Sequence, residues 1–418
     1  MKILMVNKFF YIKGGSETYY FALKRMLEAQ GHNVIDFSMK DLKNFESEYT
    51  EYFVDNVDYN EKNSLVSQIK MASNIIYSKK ARDKFEQLVL KVKPDIIHLH
   101  IFQHQMSPSI LDVAKKYNIP TVYTAHDLKM ICLNYKMMHR KHICEDCKDG
   151  HLYHCALNKC VKESFSKSCI NTVEGYLHKW RKSYDAIDVI ITPSLFYKNK
   201  FEEFGVASER IIHIPNFLDR IKPEIESFPE SKQYYLYFGR LSEEKGILTL
   251  IKAAEQTGIL LYILGSGPLK DEIEKYVSEH QLENVKLLGF KSGKELINLV
   301  GNSKAVIIPS EWYENGPYSV IEALQLGRPI IGAKIGGIPE LVQNNGFLFE
   351  SGNVDELRKV IENIERLNEI QYADMENSSQ NIFNAYYTPE THYSQLLRAY
   401  GHAQKNKYKK KKLVISSE

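Results

Sequence analysis

Two glutamates eight positions apart, Glu314 and Glu322, bracket the segment Glu314-Asn-Gly-Pro-Tyr-Ser-Val-Ile-Glu322 with a Gly-Pro turn between them. Upstream, the apolar run Ala305-Val-Ile-Ile-Pro309 reads as a short buried strand. Downstream, Ala323-Leu-Gln-Leu326 completes a short helix ended by Gly327, and Pro329-Ile-Ile-Gly332 starts another strand. Glu314 then falls in the loop before the helix and Glu322 in its first turns. Both carboxylates reach one crevice at the carboxyl edge of a parallel sheet, where open α/β sheets bind ligands. The helix start aims free backbone N–H groups at the same point, which suits a phosphate. Carboxylates for sugar hydroxyls beside a place for a diphosphate point to nucleotide-sugar chemistry. Standing alone, the segment fits two solvated surface glutamates equally well.

A second constellation is Phe238-Gly-Arg-Leu-Ser-Glu-Glu-Lys-Gly246, after an apolar run. Arg240 and Lys245, in a strand-to-helix loop flanked by glycines, can grip a diphosphate at about 1.5–3 kcal/mol per charged hydrogen bond. The sequence has no Asp-x-Asp pair to hold a metal–diphosphate complex. Protein cations and helix termini must then neutralise a leaving group, and no catalytic metal is expected. Gly14-Gly15 sits between the first strand and the first helix, where glycine lets backbone approach a ligand and Ser16 can cap the helix. Gly265-Ser-Gly267 is a weaker phosphate-loop signal that a tight turn explains nearly as well. His126, in Tyr123-Thr-Ala-His-Asp127, ends a buried strand, and Asp127 is placed to orient its ring. His98 and His100 are weaker candidates for the lining of an acceptor pocket.

All six cysteines lie between Cys132 and Cys169, and four of them read Cys144-x2-Cys147-x7-Cys155-x4-Cys160. Two close pairs in a polar insertion suit a structural zinc ion. Reduced thiols and disulfides are the other readings, the latter disfavoured without a secretion signal. Four thiolates leave no open position, so such a zinc would not be catalytic. The tail Lys405-Asn-Lys-Tyr-Lys-Lys-Lys-Lys412 is expected to be disordered because like charges repel; its functional alternative is a tether to an anionic membrane surface.

These groups need a scaffold, and apolar runs alternate with helical patterns from end to end, the mark of a parallel α/β fold. Expected strands in the first half are Lys2–Val6, Asn33–Phe37, Asp95–His100, Pro120–Ala125 and Asp188–Thr192. The second half offers Ile211–Ile214, Tyr234–Phe238, Ile259–Leu264, Asn284–Leu288, Lys304–Pro309 and Pro329–Gly332. A length of 418 residues accommodates two domains of about 200 each. The division expected is 1–214 with a Cys-bearing insertion at 128–170, then 215–390, a helix at 391–404 that returns to the first domain, and the basic tail 405–418. Residues 1–214 carry 31 Lys and Arg against 25 Asp and Glu, a mild excess that suits an anionic acceptor or membrane surface. No basic, aromatic-laced face is evident, which argues against nucleic acid. The first apolar run, Ile3–Val6, is too short for a signal-peptide core, and no run approaches the ~20 residues of a membrane span. A cytoplasmic protein, peripheral at most at the inner face of the membrane, is expected.

The stretch Pro309-Ser-Glu-Trp-Tyr-Glu-Asn-Gly-Pro-Tyr-Ser-Val-Ile-Glu-Ala-Leu-Gln-Leu-Gly327, followed by Gly336-Gly-Ile-Pro-Glu340, resembles the signature of retaining glycosyltransferases of family 4. The resemblance runs from Gly14-Gly-Ser-Glu17 to the final helix, and cysteine-bearing insertions like this one occur in a subset of that family. It implies the GT-B fold, two Rossmann-like parallel-sheet domains facing across a cleft. It implies a nucleotide-diphosphate sugar donor and a glycan or lipid-linked acceptor, in cell-surface polysaccharide synthesis by family habit. On this resemblance Glu314 holds donor-sugar hydroxyls, Glu322 the ribose, and Arg240 with Lys245 the diphosphate. Gly14 and Gly15 border the cleft, His126 lies beside the reacting sugar, and the backbone of Asn315, Gly316, Pro317 and Tyr318 cradles phosphate. It also implies same-face displacement, with the leaving diphosphate helping to take the acceptor proton. The Asn315–Tyr318 loop departs from the Phe-Gly form common in the wider family but matches a recurrent variant. The rival readings are a nucleotide-sugar 2-epimerase on the same fold and a non-enzymatic, zinc-stapled adaptor.

Overall fold

Runs of Ile, Val and Leu in this chain are apolar on both faces, the pattern of strands covered by helices on either side. The computed structural model describes residues 1–56, 73–140, 142–221, 225–226 and 231–415, with side chains to residue 408. The first sheet consists of β1 (Lys2–Val6), β2 (Asn33–Phe37), β3 (Ile96–Leu99), β4 (Thr121–Thr124), β5 (Val189–Thr192) and β6 (Ile211–His213). Its order is β2-β1-β3-β4-β5-β6, parallel throughout. The second consists of β7 (Tyr234–Phe238), β8 (Leu260–Leu264), β9 (Val285–Gly289), β10 (Ala305–Ile308), β11 (Ile330–Ala333) and β12 (Gly346–Phe349). Its order is β9-β8-β7-β10-β11-β12, again parallel. The expected α/β class, two Rossmann-like parallel-sheet domains, is therefore the observed one.

The alternation of β1 shows how each sheet makes two cores. Leu4 and Val6 enter one buried cluster with Ile97, Leu99 and Phe85, whereas Ile3 and Met5 enter another with Tyr19, Tyr20 and Leu23. The last helix, Pro389–Ile415, closes that second cluster with Leu396, Ala399, Tyr400 and Ala403, all less than 2 % exposed. The second domain has its own core around Leu236, Ile307, Ile331 and Phe349.

Three sequence expectations need correction. Ile211–Ile214 was counted among the strands of the second half although the expected division at 214 left it in the first domain; Ile211–His213 pairs with β5 and forms the edge of the first sheet. Periodicity cannot tell which sheet a short apolar run will join. β12 was not anticipated, because Gly346-Phe-Leu-Phe349 is only partly buried, with Phe349 alone fully covered. The basic tail was expected to be disordered, yet its backbone continues the last helix to Ile415. Lys407 is buried there, 3.5 Å from the Asp188 carboxylate at the foot of β5, so one lysine of the run is anchored.

The insertion after β4 forms a small hairpin (Met138–His139 with His142–Ile143), a one-turn helix (His154–Leu157) and a longer helix (Phe165–Trp180). A buried ion pair, Lys129 Nζ to Glu174 Oε2 at 3.2 Å, ties its base to that longer helix. No described helix is long and apolar enough to cross a membrane.

Candidate functional site in the cleft

The carboxyl ends of β4, β7 and β10 carry the groups singled out in the sequence. Beyond β10, the backbone brings Glu314 under the start of the helix Tyr318–Gln325. Its carboxylate is 6 % exposed and accepts from Lys245 Nζ at 2.6 Å and Ser310 Oγ at 2.7 Å. Burial by itself raises the Glu314 pKa, but the Lys245 charge and these hydrogen bonds outweigh it and hold the group below the usual carboxylate range. Lys245 is placed by Gly246, whose φ of +65° and whose approach to the Pro309 carbonyl leave no room for a side chain. Arg240, in the same loop as Lys245, is exposed and its side chain has no hydrogen bond or ion pair among the described residues. A seated carboxylate, a lysine and an unengaged arginine thus share one loop cluster.

Glu322, one turn into the helix, has no side-chain partner among the described residues, and burial alone lifts its pKa to about 7. The N–H groups of Asn315, Gly316, Tyr318 and Ser319 have no hydrogen-bond partner among the described residues, leaving them available to an anion. Pro317 has no N–H and contributes only its fixed φ at the helix cap. The half-buried Tyr318 side chain packs toward the first domain, about 3.4 Å from where a Cβ on Gly15 would sit. Gly15 is thereby held to a small residue. Ser16 does not cap the first helix; Gly14 occupies the cap, and the Ser16 hydroxyl donates to Glu17 instead. Gly265 and Gly267 pack directly on the Gly239 and Leu241 carbonyls, so their loop serves as a tight turn that supports the Arg240 loop.

Opposite stands His126. Its Nε2 lies 3.0 Å from His100 Nδ1, the two rings stack at 5.3 Å, and desolvation lowers its pKa to about 3. It is therefore a neutral imidazole at working pH. Asp127 does not orient the ring as expected; it accepts the Lys129 N–H at 2.9 Å, and His100 takes the orienting role. His98 stacks on the other face of this pair, 4.5 Å from the His100 ring, and is bonded to Tyr400 on the last helix and to Thr124.

The two halves touch through these same loops. Asn315 Nδ2 donates to the Ala125 carbonyl at 2.8 Å, and its Oδ1 accepts from Ser194. Asn216 donates to the Gly316 carbonyl at 3.0 Å. Glu340, at the end of the Gly-Gly-Ile-Pro-Glu motif, accepts the N–H groups of Leu195 and Phe196 at 2.8 and 2.6 Å, capping a helix of the first domain. Gly336 and Gly337 let that segment lie against the Glu314–Asn315 backbone, where any Cβ would collide. The insertion joins in, since Glu145 accepts from Tyr313 Oη at 2.8 Å, next to Glu314. Sequence reasoning missed Glu340, His100 as partner of His126, and Lys8, Lys13 and Glu17 near the Gly14–Gly15 loop. Glu340 and Glu17 carried a signal, each ending a quoted motif.

The cysteines stand apart from this cleft chemistry. Cys144, Cys147, Cys155 and Cys160 line one cavity of about 10 Å³, joined by Cys132, which the spacing argument left out. Burial raises the Cys132 pKa to about 11, and Cys155 shares a thiol hydrogen bond with Cys160. Among the described residues, however, no three His, Cys, Asp or Glu side chains converge as a formed metal site.

Comparison with known proteins agrees with this geometry. Residues 13–221 match the family model Glycosyltransferase Family 4, and residues 219–382 match Glycosyl transferases group 1. An uncharacterized glycosyltransferase of Methanocaldococcus jannaschii is 24% identical over 368 residues, 86% of this chain and 87% of that protein. An uncharacterized 42.6 kDa protein in the cps region of Klebsiella pneumoniae is 24% identical over 407 residues, 93% of this chain and 98% of the other. In fold, the chain is similar to Anabaena HepE in complex with UDP-glucose, with TM-score 0.63, 20% identity, and coverage of 95% of this chain and 98% of that one. With half its length matched by one family model and most of the remainder by its companion, the chain belongs to the family 4, group 1 glycosyltransferases.

Proposed function

We propose that this glycosyltransferase moves a sugar, with retention of configuration and without a catalytic metal, from a nucleoside-diphosphate donor to a glycan or lipid-linked acceptor. The observation that carries the reading is the Lys245–Glu314 pair at 2.6 Å beneath unpartnered helix-start amides, with Arg240 unengaged beside it. An incoming diphosphate takes the Lys245 ammonium and the Arg240 guanidinium, which frees Glu314 to accept hydroxyls of the donor sugar. Glu322 in its ionised form accepts the ribose hydroxyls. Neutral His126 borders the reacting centre from the first domain. The acceptor hydroxyl attacks the face the diphosphate leaves, and its proton passes to a leaving phosphate oxygen. UDP is the first nucleotide to try, because HepE was crystallised with UDP-glucose. Cell-surface polysaccharide synthesis is the assigned setting, supported by the relative in a cps region. The chain works in the cytoplasm, peripheral at the inner face of the membrane. The 2-epimerase alternative is not favoured, since both family models are those of transferases.

Zinc, in this proposal, is structural and confined to the insertion thiols. Elemental analysis of purified protein and of Cys147→Ser tests it; zinc-free wild type that folds normally would sink it. The transferase reading is tested by incubating the protein with UDP-glucose and a panel of other nucleotide sugars without acceptor. Slow hydrolysis with first-formed sugar of the donor's own anomeric configuration, read by NMR, supports retention. The inverted anomer or a free 2-epimer would overturn it.

A further inference from the structure

Lys8 and Lys13 flank the Gly14–Gly15 loop, and the donor chemistry just described uses neither. Their ammonium groups lie over the same ring, that of Phe9, at 5.0 and 3.9 Å from its centroid. Neither has an ion pair or hydrogen bond from its side chain among the described residues. Lys13 is exposed at the mouth of the loop, whereas Lys8 is half-buried. Loss of water, and then repulsion from Lys13, lowers the Lys8 pKa to about 8; Glu17 and Asp127 act from farther off and do not restore it.

The loop that presents them is fixed. The Lys8 carbonyl accepts from Ser38 Oγ at 3.0 Å and from the Met39 N–H at 3.3 Å. Asn7 donates to the Phe9 carbonyl at 2.8 Å and accepts the Ile101 N–H at 3.2 Å. Glu17, the nearest carboxylate in sequence, is itself engaged by Asn7 and Ser16. On its far side Lys8 lies within electrostatic reach of Asp127 and His104, on the loops that flank His126.

A partly desolvated ammonium beside a second cation, with no carboxylate paired to it among the described residues, is costly, and an anion bound there recovers the cost. The donor diphosphate has its own cations, Arg240 and Lys245, on the other domain. We infer that Lys8 and Lys13 form an acceptor subsite for a negatively charged group, a phosphate or carboxylate carried next to the hydroxyl that is glycosylated. The inference rests on the proposed transferase reading for the word acceptor, but the anion site stands on its own geometry. The charge has two sources in principle, a lipid diphosphate or an acidic sugar of the glycan. Phe9 serves either one, as an apolar floor under the first lipid carbons or a sugar face.

Calorimetry on the full-length protein, with UDP present to occupy the donor side, tests this with three probes: geranyl diphosphate, methyl glucuronide and neutral methyl glucoside. At least one anionic probe should bind wild type more tightly than the glucoside, and more tightly at low salt. Lys8→Met and Lys13→Met should each weaken it by about tenfold or more, Lys8→Arg much less, and Lys275→Met on a distant helix not at all. Preference for geranyl diphosphate identifies a lipid-linked acceptor, and preference for the glucuronide identifies an acidic glycan. Anionic probes that bind no better than the glucoside, or that bind both methionine variants unchanged, would overturn the inference. Should Lys8→Met fail to fold by circular dichroism, exposed Lys13 decides the question. Failure of UDP to bind wild type would count against the donor reading and leave the lysine site to its own probes.

Discussion

Lys245 and Glu314 form an ion pair at 2.6 Å, so the cation proposed for a diphosphate is neutralised by the carboxylate proposed for a sugar. On that proposal the pair exchanges one partnership for the other when donor binds. Replacing the carboxylate releases the lysine but removes the sugar contact. Glu314→Gln should bind UDP as tightly as wild type or more so, yet lose about 10²-fold or more in sugar transfer or donor hydrolysis. Parallel loss of UDP affinity would show instead that the carboxylate only holds the loop.

Glu322 titrates near pH 7 because burial penalises its charge. A carboxyl whose folded pKa lies above its unfolded one binds more protons when folded between the two values. It therefore costs stability as pH rises from about 4.5 toward 7, and the cost is complete above that range. Glu322→Gln should raise Tm at pH 8 and change it little at pH 5. Ribose hydroxyls need the ionised form, so wild-type UDP affinity should fall below pH 7 more steeply than that of Glu322→Gln. The variant carries the nucleotide's own titration and serves as the reference. Identical profiles would remove Glu322 from the ribose site.

Glu340 reaches from the second domain to cap a helix of the first through Leu195 and Phe196. A lost cap costs about 0.5–2 kcal/mol, and here the loss also removes a contact between the two halves. Glu340→Ala should lower Tm by a few degrees and enlarge the ligand-free radius of gyration in small-angle scattering, with UDP restoring compactness. An unchanged radius would mean that the remaining contacts hold the halves together.

His126 is neutral at working pH, since desolvation lowers its pKa to about 3. Activity should therefore show no acid limb from imidazole protonation near pH 6.5, and His126→Asn should lower kcat with little change in Tm. His100→Ala should lower kcat less, because it acts on the His126 ring through one hydrogen bond. A wild-type limb near pH 6.5 that disappears in His126→Asn would contradict the neutral assignment.

Local geometry was legible in the sequence where the candidate residues lie close together in the chain. Glu314, the helix start after it and the Arg240–Lys245 loop each lie within a few residues of a strand whose apolar run is plain. What stayed hidden depends on distant pairing. Nothing near His126 announces His100, 26 positions earlier, as its partner, and Asp127 was the wrong choice only because its carboxylate turns to the Lys129 N–H. Ile211–His213 pairs with β5, a sheet partner that its own short apolar run does not specify, although the expected boundary at 214 left it in the first domain. The lysine tail was read as repelling itself, but a helix already anchored by Tyr400 and Ala403 carries it onward, and Asp188 receives Lys407. Lys8 looked like any loop lysine until burial and the lack of a paired carboxylate among the described residues set it apart.

The most direct test of the central claim is calorimetric titration of nucleoside diphosphates, with chelator present throughout, into wild type and Arg240→Ala. The prediction is that one nucleotide, UDP first, binds wild type without any divalent ion and binds Arg240→Ala at least about tenfold more weakly. Binding that appears only when a divalent cation is restored, or that ignores the arginine, would contradict a diphosphate cradle built from Arg240, Lys245 and helix-start amides.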